Sequence, residues 1–118
     1  MLESNPDIRI VITTVGSREE ASTIGRTLVE EHLVACATIL PEVQSIYCWR
    51  GSLEDDREVL MFLKTHTSRL EALEERLHTL HSYDTPEFLV LHVDAGSQRY
   101  LEWMKGHFCL QPEPASQS

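Results

Sequence analysis

Little in this chain could hold it together except packing. Its three cysteines, Cys36, Cys48 and Cys109, are an odd number without a CxxC spacing, so neither a disulfide framework nor a zinc knuckle is indicated and reduced thiols are expected. No apolar run approaches the roughly 18 residues of a membrane span. The first six residues lack the charged and apolar regions of a signal peptide, so the expected location is cytoplasmic. Positive charge is scarce: ten Lys and Arg stand against nineteen Asp and Glu, a formal net charge of -9, and the basic residues are scattered. Nucleic acid and anionic membranes are bound mainly through clustered Lys and Arg, so neither is an expected partner. There is no internal repeat at a short fixed period, and 118 residues fit one domain with a real core.

What is present is a long β-rich stretch from Leu33 to Thr65. β-branched and aromatic residues fill 33–40, 45–49 and 58–65, Pro41 falls at a bend, and Arg50-Gly51-Ser52 falls where a hairpin needs its turn. The acidic run Glu54-Asp55-Asp56 beside that turn reads as a solvated loop. Side chains alternate along a strand, so Val59, Met61 and Leu63 share one face while Leu60 and Phe62 share the other. A strand apolar on both faces needs a cover on both.

Before this hairpin, residues 7–14 read as a strand, and Ser17-Arg-Glu-Glu20 has the form of a capping box opening a helix that ends near His32. After it, Ser68-Arg-Leu-Glu71 is a second capping-box signature. Leu70, Leu73, Leu77 and Leu80 then recur at helical spacing until Pro86 forbids further helix. Residues 87–94 read as another strand apolar on both faces, and 97–106 as a short last helix. One domain is expected over 1–109, with a disordered tail at 110–118.

The order strand, helix, strand, strand, helix, strand predicts an α+β fold of the ferredoxin-like split βαβ type: an antiparallel sheet with both helices on one face, plus a C-terminal helix. The opposite face would then be an apolar patch, which soluble monomers avoid. Either an oligomer buries it, or the last helix folds over part of it.

Among chemistry-bearing residues, His78 and His81 lie three positions apart at a helix end, where two imidazoles can share a face and suit copper, zinc or nickel. The competing reading is a solvated His78 and a His81 that caps the helix C-terminus. Trp49, Lys64, Tyr83 and Glu87 combine aromatic walls with one cation and one anion, which suits a pocket for a small anion or zwitterion; a structural Lys64–Glu87 ion pair beside packed aromatics is the alternative. Cys36 and Cys48 are the candidate reactive thiols, with Cys36 equally readable as a small apolar core residue. No nucleophile–base pair, catalytic carboxylate pair or complete metal set is demanded by any spacing, so an enzyme is not expected, nor is an organic cofactor.

Taken together, residues 28–41, Ser45-Ile-Tyr-Cys-Trp-Arg-Gly51, Glu58-Val-Leu, Lys64-Thr65, His81-Ser-Tyr-Asp-Thr-Pro-Glu87 and Tyr100-Leu-Glu-Trp103 resemble the CutA family of divalent-cation tolerance proteins. That resemblance implies a tightly packed homotrimer related to PII signalling proteins. It also implies binding of copper or another divalent cation, a role in metal tolerance, and no established reaction. The metal-associated histidine of the family falls on His81, while Thr13 and Leu80 stand where the copper-binding bacterial member has Cys and His. Ser82 replaces a usual Pro, and Arg50 a usual acidic residue. In a trimer, Trp49, Lys64, His81, Tyr83 and Glu87 would converge in a cleft between subunits. The second function this suggests is a PII-like regulatory module that binds a small molecule there and signals to a protein partner. A third is a trimer with a purely structural role.

Overall fold

A strand apolar on both faces belongs in the middle of a sheet; the structure puts the strand that contains residues 58–65 there, whereas the strand expected over 87–94 lies at a sheet edge. It is a computed structural model and describes residues 1–4 and 7–108. Cys109 and the tail expected at 110–118 lie outside the described residues. The order is β1 (Leu2–Ser4), β2 (Ile8–Val15), α1 (Arg18–Glu30), β3 (Cys36–Trp49), β4 (Ser52–His66), a single 3-10 turn (Thr67–Arg69), α2 (Leu70–Leu80), β5 (Leu89–His92), β6 (Ala95–Ser97) and α3 (Gln98–Phe108). Strands β3-β4-β2-β5, in that order, form one antiparallel sheet. With α1 and α2 on one face, this is the ferredoxin-like split βαβ arrangement.

The core lies between that face and the two helices. Val11 and Val15 of β2 with Val59, Met61 and Leu63 of β4 meet Ala21, Ile24 and Leu28 of α1 and Leu73 and Leu77 of α2. Gly25 allows α1 to approach so closely, since a Cβ there would stand 3.2 Å from that of Ala37. Thr13 lies in the same layer, fully buried, and its hydroxyl has no hydrogen-bond partner among the described residues. A buried, unpaired hydroxyl costs about 1–3 kcal/mol. Thr13→Val keeps the shape and removes that penalty, so it is expected to raise stability by about 1 kcal/mol, read as a later denaturant midpoint at unchanged slope.

Three local expectations are corrected. The run Glu54-Asp55-Asp56 belongs to β4 and is not a loop. The reason is the turn: Arg50 (φ 52) and Gly51 (φ 81) are both left-handed, the requirement of a two-residue type I′ turn, so pairing resumes at once with Trp49 opposite Ser52. Asp55 accepts from Gln44 (2.8 Å) and Asp56 from the Tyr47 hydroxyl (2.6 Å), which pushes the Tyr47 phenol up to about 12. Second, Ser68 does not cap α2; its own N–H donates to His66 Nδ1 (3.1 Å), and a 3-10 turn precedes the helix. Third, the last strand of the sheet spans only Leu89–His92, and β1 pairs with β6 in a separate ribbon that had no signal in three-residue segments.

Pro41 and Glu42 of β3 stand opposite Val59 alone, because Leu40 pairs with Leu60 and Val43 with Glu58. This bulge accommodates a residue without an N–H and bends the hairpin. Beyond it the hairpin continues as a two-stranded arm. The arm raises the radius of gyration to 15.8 Å, against about 13.5 Å for a compact chain of this length.

The opposite face of the sheet stays largely open. α3 packs Leu101 and Met104 against Ile8 and Ala35 at one end of it. Leu89 remains 56% exposed and Leu91 43%.

Candidate functional site

The side chains with the most unusual environment surround the end of α2. His81 follows its last residue in an extended conformation, donating its backbone N–H to the Leu77 carbonyl (2.9 Å). Its imidazole turns inward and is fully buried. Nε2 lies 2.7 Å from the Thr14 carbonyl, and Nδ1 accepts the Tyr83 backbone N–H at 3.0 Å. A carbonyl only accepts and an amide N–H only donates, so the proton sits on Nε2 and both ring nitrogens are engaged. The ring therefore ties the loop after α2 to the end of β2.

Glu20 makes a second tie. As the third residue of α1 it was expected to reach back to the helix start. The cap is completed by Ser17 Oγ, which accepts the Glu20 N–H (3.1 Å), while the Glu20 carboxylate accepts from the Ser82 N–H (2.9 Å) and hydroxyl (3.1 Å). A Pro at position 82 would lack the N–H that Ser82 supplies here. The nearer Glu20 oxygen stands 3.8 Å from His81 Nδ1.

Tyr83 makes the third. Its ring centroid is 4.7 Å from that of His81, and its hydroxyl donates to the buried Glu58 carboxylate at 2.7 Å. Burial raises the Tyr83 phenol well above its ordinary range, reinforced by the bond to Glu58 and the charges of Glu58 and Glu20. Glu87 is raised as well, first by desolvation and then by the negative charge of Glu58. An acid raised on folding binds its proton more tightly in the folded state. Its contribution is therefore fullest below the ordinary carboxyl range and is lost as pH rises from there through the raised folded-state value. Removing the charge with Glu87→Gln is expected to flatten that decline in a series of urea midpoints between about pH 4 and 6.

The other candidates lie elsewhere. Lys64 is six residues from Glu58 on β4, about 20 Å at strand spacing. It donates to the Tyr100 hydroxyl (3.0 Å), a bond that holds the ammonium above its usual range. There is accordingly no Lys64–Glu87 pair at salt-bridge distance within the chain. Trp49 sits at the arm tip with the Arg50 guanidinium 5.2 Å from its ring centre, about 20 Å from Glu58 in the other direction. A single chain thus brings His81 and Tyr83 together beside Glu58, with Glu87 within the electrostatic reach of Glu58, but not Trp49 or Lys64. His78 is exposed on the last turn of α2. Cys36 is half-buried, 3.6 Å from the Thr38 hydroxyl and directly across the ladder from Lys64; Cys48 is exposed on the arm. Glu20 and Glu58 are the site residues that sequence reasoning missed. Glu20 had an adequate explanation as a capping residue, and Glu58 carried only the weak signal of an acid heading an apolar run.

As they stand, these residues do not fit a bound copper ion. Both His81 nitrogens are committed, Thr13 is buried without a thiol, and Leu80 packs against the core. Among the described residues, no three or more His, Cys, Asp or Glu side chains are grouped to hold a metal. No helix among them is long and apolar enough to cross a membrane.

A ferredoxin-like sheet with an extended hairpin arm and a histidine-anchored loop after the second helix defines the class. The family model described as CutA1 divalent ion tolerance protein matches residues 9–107, and the chain belongs to that family. It is 43% identical over 96 residues to the divalent-cation tolerance protein CutA of Thermus thermophilus, covering 81% of this chain and 93% of that protein. It is 41% identical over 96 residues to the chloroplastic protein CutA of Arabidopsis thaliana, again 81% of this chain but only 53% of that longer protein. The chain therefore spans about half the length of that plant relative. Among solved structures, CutA from Synechococcus elongatus superimposes with a TM-score of 0.88 at 35% identity, covering 92% of this chain and 96% of that one.

Proposed function

We propose that the chain is a non-enzymatic divalent-cation tolerance protein that works as a cytoplasmic homotrimer. The observation that carries the assembly is the open sheet face. Leu40, Leu89 and Leu91 are 36–56% exposed on the side of the sheet away from α1 and α2, and both sheet edges, β3 and β5, are open within one chain. Copies that pack these faces together and cap the edges remove both liabilities. The metal role rests on family membership, with copper the expected ion. Direct contact would be made through His81, joined by His78 at the surface, and would require the Tyr83 N–H to release Nδ1.

That requirement favours a second reading. A loop already held by His81, Glu20 and Tyr83 is preorganised without metal, as suits a PII-like module that takes a small molecule between subunits and signals to a protein partner. In that arrangement Trp49 and Lys64 would come from different copies than the Tyr83–Glu87 loop they face.

One experiment separates these readings: calorimetric titration of the chelator-stripped protein with copper and with zinc, with its mass measured in the same buffer. The first reading expects a trimeric mass and micromolar binding that weakens in His81→Ala and in His78→Ala. A trimeric mass with no heat from either metal supports the second. A monomeric mass overturns the assembly on which both rest.

A further inference from the structure

We draw no further inference here: the strongest candidate, the row of carboxylates Glu54, Asp56 and Glu58 with Tyr47 and Tyr83 on one face of the hairpin arm, is an acidic cluster whose visible hydrogen bonds stay within it, and nothing in the structure shows what it would bind.

Discussion

Leu91→Glu is expected to dissociate the proposed trimer. In a single chain this substitution is mild, because Leu91 is already 43% exposed at the edge of the sheet and a glutamate there can reach water. On that account alone the cost would stay within about 1 kcal/mol. If the open face is packed against other copies, each subunit instead buries a carboxylate without a partner, at a cost of several kcal/mol, and the penalties act together around a closed ring. The expected outcome is a fall in sedimenting mass from three chains to one at micromolar protein, with precipitation at higher concentration as the face is released. A variant that keeps the mass of the parent would remove the open face from the interface. Leu53→Glu, at the arm tip where the leucine is 77% exposed, serves as the matched control and is expected to keep the parent mass.

Removing the imidazole of His81 has the second large effect. His81→Ala leaves the Thr14 carbonyl and the Tyr83 N–H without their partners. Each buried polar group deprived of its bond costs about 1–3 kcal/mol, less whatever water can restore. The sum, about 2–4 kcal/mol, is expected as an earlier denaturant midpoint and as faster amide exchange in residues 81–87, ahead of the rest of the chain. His81→Gln offers a donor and an acceptor on one planar group and is expected to recover part of the loss. Equal stability of the parent and the alanine variant would mean that the ring does not hold the loop. The same bonds bear on metal affinity. A cation at Nδ1 must displace the Tyr83 N–H, a handicap of about 1–3 kcal/mol, or roughly 5- to 150-fold in affinity.

The fold was legible because its signals are local and redundant. The alternation at Val59, Leu60, Met61, Phe62 and Leu63 marked β4 as a strand that needs a cover on both faces, the leucines from Leu70 to Leu80 marked α2, and Gly51 marked the turn. The errors came where a local rule met a tertiary partner. Glu54, Asp55 and Asp56 look like loop residues, yet a two-residue turn leaves them no place but the ladder, where Gln44 and Tyr47 bind two of them. Ser68-Arg-Leu-Glu71 has every mark of a capping box, but His66 takes the Ser68 N–H first.

The candidate site was less legible, and for one reason. His81 could be singled out by type and position, but its chemistry depends on which lone pair is free, and that is decided by Thr14, 67 positions earlier, and by the Tyr83 backbone. Glu20 and Glu58 reach the same loop from 62 and 25 positions away.

The sequence by itself determined the order of the four sheet strands and three helices and the presence of an apolar sheet face opposite the first two helices, because hydrophobic period and turn chemistry act between near neighbours. Only the tertiary structure decided that His81 is a buried tie, that Glu20 serves Ser82 instead of its own helix, and that Lys64 bonds Tyr100. Hydrogen bonds are directional and short, so which of several willing partners a side chain takes depends on chain crossings that no local pattern encodes.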